Sequence, residues 1–420
     1  MSKQKRHSRM SVTLALGVGL ALGALGTWLQ GAAREAAAAS LQESQTTALP
    51  QGRQATALPQ GALASNTNVI SSAYEPVDGK GGEEVSGPYQ VVKGWPQPVV
   101  DGWTINAETM YAESPDRIIA VGRGTHKSPW TTFWGPAAFR NLGKPIPPAE
   151  QKQQRMIVVY NRQGKVVESW DQWSPLLVDV QLVQENPYDP EHHIWIATDE
   201  SLVELTRDGK THVKTLDVKD IPPAQTQNGN FVVEFFAFAS NGDLWAAGGH
   251  RMVRFSRDGK FVSAFGKAGT GPGEFGIVGE GLHGNGIHGV VIDSNRNRMY
   301  VVDRVNSRID VFDLSGKFLD QWPNIVGAYG IRLTADGRYA WVNDGYTQKV
   351  MKYDALTGKL VPGSTWGTMG IAPGSIWGFH FFTTDSEGSL YVGEDMAFRI
   401  QKFVPRRDGN PVQVIGPLMQ

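Results

Sequence analysis

The sequence predicts an all-β fold, a six-bladed β-propeller, on three observations. One four-strand unit recurs six times from about residue 95. Gly-centred turns punctuate the units at Gly164, Gly209, Gly259, Gly316 and Gly358, roughly 42 to 57 residues apart, near the length of one propeller blade. No helical run of comparable strength interrupts the pattern.

The chain opens on a basic stretch, Lys3 to Arg9, followed by an uncharged run rich in Leu, Ala and Gly from Ser11 to Ala33. Small residues suited to cleavage fill Ala36 to Ser40. Residues 1–40 therefore read as a signal peptide, which places the protein outside the cytoplasm, secreted or periplasmic. The same run is long enough to span a bilayer, so an uncleaved membrane anchor is the other reading. Residues 41–88 are rich in Gln, Ser, Thr and Gly, and the segment Ala48-Leu49-Pro50-Gln51-Gly52 returns as Ala57-Leu58-Pro59-Gln60-Gly61. With little apolar surface to bury, they read as a disordered linker. Residues 89–420 are the propeller.

Within it the second strands align as short apolar runs: Arg117–Gly122, His193–Asp199, Asp243–Gly248, Arg298–Asp303, Tyr339–Asp344 and Leu390–Glu394. The third strands follow at Ile157–Tyr160, Leu202–Leu205, Met252–Phe255, Ile309–Phe312, Val350–Tyr353 and Ile400–Phe403. Several alternate apolar and polar residues, as half-buried strands do. Turns such as Asp208-Gly209-Lys210 and Asp258-Gly259-Lys260 use Gly for the positive φ that tight hairpins need. Two segments compete to close the ring as the outer strand of the last blade, Tyr89–Lys93 and Pro411–Ile415.

Composition narrows the function. There are no cysteines, which removes disulfides, thiolate metal sites and Cys nucleophiles. The net charge is −1, and five basic residues lie in the first forty, so the remainder is mildly acidic and unsuited to nucleic acid. Serine-hydrolase elbow, P-loop and HExxH motifs are absent.

Aligning the first strands gives one polar or aromatic residue per blade after an aliphatic one: Asp101, Asp179, Glu234, His288, Tyr329 and Trp377. Such positions line the mouth of a propeller channel. Asp101, Asp179, Glu234 and His288 offer three carboxylates and an imidazole, a set for a divalent cation such as zinc or calcium. Tyr329 and Trp377 would wall the substrate, with Tyr329 also an acid or base. If the polar groups satisfy one another and water, the channel carries no chemistry. His126 follows Arg123 closely and would face the same rim, and His283 opens a Gly-rich loop to His288. His192 and His193 sit in a turn and are expected to be exposed.

The run Gly266-Lys267-Ala268-Gly269-Thr270-Gly271-Pro272-Gly273-Glu274-Phe275 resembles the inter-blade loop of NHL repeats. The segments Gly289–Asp293, Met299–Arg304 and Asn306–Ile309 are similar to an NHL core. These repeats also resemble the propeller of the peptidyl-α-hydroxyglycine α-amidating lyase. The resemblance implies that Arg123, ahead of an insertion of about Gly124 to Arg155, and Arg304 are its two substrate-carboxylate arginines. That lyase holds zinc with three histidines on alternate blades. His288 matches one, Asp179 and Trp377 stand at the other two, and its catalytic tyrosine has no counterpart near Gly248-Gly249-His250. The expectation is a metal-dependent lyase or hydrolase acting on a small anionic or peptide-like substrate. A non-catalytic propeller that presents its blades to a protein or glycan partner is the other reading, tethered to a membrane if the leader stays uncut.

Overall fold

The computed structural model describes residues 85–99, 103–127, 151–152, 155–177, 179–276 and 286–419. The leader, residues 41–84 of the linker, most of the insertion in blade one, Asp101 and His283 lie outside the described residues. The architecture is a six-bladed β-propeller.

Blade one comprises Trp103–Ser114, Arg117–Lys127, Ile157–Tyr160 and Val166–Ser169, with Gln151–Lys152 paired to the far end of its second strand. Blade two is built from Val180–Glu185, Ile194–Thr198, Ser201–Leu205 and His212–Leu216. Blade three contains Phe235–Phe238, Leu244–Gly248, Arg251–Phe255 and Phe261–Phe265. Blade four follows with Ile287–Asp293, Arg298–Asp303, Arg308–Phe312 and Phe318–Trp322. Blade five has three strands, Ala328–Leu333, Tyr339–Asp344 and Lys349–Asp354, and the isolated bridges Val350↔Trp366 and Tyr353↔Leu360 continue its sheet outward. Blade six holds Phe379–Thr384, Leu390–Glu394 and Arg399–Pro405, all antiparallel to their neighbours.

Of the two closing candidates, the earlier one takes the place. Tyr89–Val91 pairs with Arg399–Pro405 as the outer strand of blade six. The C-terminal segment braces this seam, since Tyr89 Oη receives the Ile415 amide at 2.8 Å.

Strand chemistry explains the burial. Inner and middle strands such as Val180–Glu185 and Leu390–Glu394 are buried at every position, because both faces of a blade press on neighbouring blades. Outer strands such as Phe261–Phe265 are mostly half-exposed. Aromatic side chains fill the wedge between blades, as where Phe265 meets Phe312 at 4.9 Å between ring centroids.

One ionic device recurs at the start of third strands. Arg308 donates to Asp303 Oδ2 at 3.0 Å and to the carbonyls of Thr270, Gly271 and Glu274 at 2.6, 3.0 and 2.7 Å. It thus clamps the Gly-rich loop onto blade four, with Phe275 fully buried beneath. Arg399 does the same in blade six, bonding Glu394 at 2.8 Å and the carbonyls of Ile371 and Ser375 at 2.7 Å each. These clamps fix the loops around one end of the channel.

Candidate functional site

Two register positions build the site. Five of the six inner strands carry an extra residue near their start. Register shifts fall at Glu108, Gln181, His288, Tyr329 and His380, between their paired neighbours. Glu234 stands at the same place in blade three, immediately before Phe235, with its amide bonded to Ala247 O at 3.0 Å. A bulge re-aims its residue out of the ladder, and here all six reach one cavity of about 250 Å³. The second position is the residue following each second strand's last pairing with this inner start. It holds Arg123, Asp199, Arg304 and Asp395, all of them lining the cavity, and Gly345 in blade five, while in blade three the pairing is followed by two glycines, Gly248 and Gly249. At Gly345 a Cβ would lie 2.4 Å from the Tyr329 ring, so the aromatic takes the space of a side chain there.

The sequence expectations are thereby sorted. Arg123, Asp179, Glu234, His288, Arg304 and Tyr329 do converge on the cavity. Trp377 does not line it. Its amide donates to Glu394 Oε2 at 2.7 Å, and the ring place in blade six belongs to His380. The sequence alignment matched Trp377-Gly378 to His288-Gly289 and Tyr329-Gly330, but the inner strand begins at Phe379, and Gly378 falls where blades four and five have Gly286 and Gly327. Asp179 is likewise offset. Gln181 holds the ring position, and Asp179 reaches the cavity from two residues earlier, ion-paired to Arg123. Asp101 lies outside the described residues. His126 is placed only by its backbone, paired with Thr104 and Gln151. Sequence reasoning overlooked Glu108, Gln181, Asp199, His380 and Asp395.

The electrostatics are mixed in sign and strongly shaped by burial. Arg123 lies 3.2 Å from Glu108 Oε1 as well as against Asp179. Arg304 is 3% exposed, its guanidinium 4.7 Å from the Tyr329 ring centroid, and none of its three side-chain nitrogens has a hydrogen-bond partner. Burial pushes the Glu108 and Glu234 carboxyls up to about 8, although Arg123 and Arg304 respectively pull the other way. Burial also raises Asp395 to about 7 and Asp179 to about 6. The His288 imidazole is held well below its usual value by burial, with Arg304 and His380 adding to the effect.

His288 Nδ1 is 2.8 Å from the Tyr329 carbonyl, which can only accept, so Nδ1 carries the proton and Nε2 keeps its lone pair. His380 turns Nδ1 toward the Glu108 carbonyl at 3.4 Å in the same manner. The two rings are 5.2 Å apart, and Phe235 packs on His288 at 4.8 Å. The cavity thus holds the neutral His288 imidazole beside two carboxyls, Glu108 and Glu234, that keep their protons at neutral pH. Groups pushed apart in this way supply a base and an acid side by side.

As to metal, Asp179 is engaged by Arg123, which takes it out of the expected ligand set. The two imidazoles fit better, since a backbone carbonyl on the other ring nitrogen is the usual support of a metal-bound histidine. His288, His380 and Gln181 occupy the same ring position on alternate blades.

The family model DUF5128, described as a 6-bladed beta-propeller, matches residues 251–359. No curated protein matches. Among solved structures the chain is similar to streptogramin B lyase, at 12% identity and a TM-score of 0.46 over 77% of this chain and 100% of that one. It is also similar to a protein of unknown function from Bacteroides caccae, at 12% identity and a TM-score of 0.40 over 66% and 82%. Repeat count, sheet topology and family match agree that the chain is a six-bladed β-propeller.

Proposed function

We propose that the protein is an exported enzyme that binds a small anionic substrate in the channel cavity and breaks a bond in it by proton transfer, as a lyase of the NHL type. The observation that carries this reading is Arg304, a buried guanidinium whose nitrogens face a polar cavity without a hydrogen-bond partner. A planar cation in that state calls for a carboxylate to receive its parallel N–H bonds. The signal-type leader supports an extracytoplasmic setting, with membrane anchorage if it is retained.

The amidating-lyase resemblance gives the reaction class, and the corrected register strengthens it. Two of the three alternate-blade positions hold histidine, His288 and His380, and Gln181 is at the third. A divalent ion, zinc by this resemblance, would be held by the two Nε2 atoms and would polarise the substrate's hydroxyl. Arg304 fixes the carboxylate of an N-acyl-α-hydroxyglycine. Asp395, which lines the same cavity with its carboxyl raised by burial to about 7, accepts the proton of the α-hydroxyl. The N–Cα bond breaks with its electron pair passing to nitrogen, and protonated Glu234 supplies the proton that nitrogen takes up. The products are an amide and glyoxylate.

The test uses N-benzoyl-α-hydroxyglycine and metal-replete protein, with glyoxylate release as readout. Wild type should release glyoxylate, and Arg304→Ala should lose about 100-fold. If wild type releases none but glyoxylate raises its melting temperature and leaves that of Arg304→Ala unchanged, the site binds anions and the lyase reading falls. If glyoxylate does neither, the anion site falls too, and a propeller that binds protein or glycan by its surface becomes the better reading.

A further inference from the structure

The inner strand Val180–Glu185 runs away from the cavity, so the turn that follows lies at the opposite end of blade two. That turn brings Asp189 and His193 against Glu204 of the third strand. His193 Nδ1 is 2.7 Å from Asp189 Oδ2 and 3.0 Å from Glu204 Oε1. Among the described residues this is the one group of three His, Asp or Glu side chains whose ligand atoms all lie within 4.8 Å of one another. The turn was expected to leave His193 in solvent, yet its side chain is only 13% exposed.

The hydrogen-bonding capacity of His193 does not match its surroundings. Its Nδ1 faces two carboxylate oxygens, and its Nε2 lies 3.1 Å from a third carboxylate, Glu191. A neutral imidazole has one N–H to offer. A cation on the Nδ1 side would satisfy Asp189 and Glu204 together, while Nε2–H donates to Glu191. Metal-bound histidines are commonly held by a carboxylate on the distal nitrogen in this way. The spacing also suits an ion. Tetrahedral ligands at about 2.0–2.1 Å from a metal lie about 3.3 Å from one another, so the cluster need open by only a few tenths of an ångström.

A separate observation points to a ligand. The three residues border a cavity of about 90 Å³ between blades two and three. Trp195 lines the same cavity, is 5% exposed, and its indole Nε1 has no hydrogen-bond partner. An indole N–H in that place can donate to a metal-bound water. Glu204 is itself buried, with Lys214 3.3 Å from Oε2, and burial raises its carboxyl.

We propose that Asp189, His193 and Glu204 form a second divalent-cation site, for zinc or a first-row ion of similar preference, with water as the fourth ligand. One imidazole with two carboxylates is a donor set such ions accept. The ion would tie the turn of blade two to its third strand at the seam with blade three.

The experiment uses the full chain carrying His288→Ala and His380→Ala, so that the channel cavity contributes no zinc. After chelator treatment, calorimetric titration with zinc chloride should show one equivalent bound, and zinc should raise the melting temperature. Adding His193→Ala should abolish both effects, and Asp189→Asn should weaken binding at least tenfold. Absence of zinc binding in the His288/His380 background would overturn the proposal. So would binding that Asp189→Asn, on a part-exposed turn, leaves undiminished. Because the channel ligands are removed throughout, failure here leaves the lyase reading untouched.

Discussion

At the scale of single residues, the cavity is governed by what burial does to charge. Glu108 and Glu234 hold their protons to about pH 8, so at neutral pH they oppose neither an incoming anion nor the guanidiniums. Above that pH they ionise, repel the anion and compete for Arg304. Glyoxylate affinity, followed by calorimetry, should therefore fall as pH rises from 6.5 to 9, and Glu234→Gln should flatten the fall. Stability follows the same sign. A carboxyl raised from its usual 4.5 contributes fully below about pH 4.5, and that contribution is lost as pH rises through about 8. The melting temperature should decline over this window, and less steeply in Glu108→Gln.

Between neighbouring elements, the clamps decide how the rim is held. Arg308 is nearly buried between Asp303 and Asp310, with three loop carbonyls on its remaining nitrogens. Removing one member of a buried ionic group strands the others. Arg308→Ala should cost about 3–5 kcal/mol in denaturant unfolding, and proteolysis within residues 266–276 should accelerate. Elements also show where sequence reading stops. Strand runs and Gly turns were legible because they rest on periodicity and backbone sterics, which are local. The ring of site residues rests on bulges, each displacing the register by one, and no local pattern marks a bulge. His380 was overlooked because Gly378 imitates the glycine after His288. Glu108 was overlooked because the first strand of blade one runs on past the ring position to Trp103. Asp199 and Asp395 were within reach: each follows the end of a second strand, the place that singled out Arg123 and Arg304.

On the scale of the whole molecule, six blades share one axis, and the site exists only where all six inner strands meet. That explains why the architecture could be read from repeats while the chemistry needed the assembled ring. It also makes closure a functional requirement. Deleting residues 85–92 removes the outer strand of blade six and exposes the edge of Arg399–Pro405. The deletion should lower the melting temperature and weaken glyoxylate binding together, read by thermal melts and calorimetry on the same samples, although no removed residue lines the cavity.

The pairing of Tyr89–Val91 with Arg399–Pro405 joins nearly the first described residues to nearly the last. Synthesis delivers these partners some three hundred residues apart, so the nascent chain has no means of latching the circle until almost all of it has emerged. The ring therefore stays open for nearly the whole of synthesis, and its blades must hold their partly formed sheets without the latch until the end.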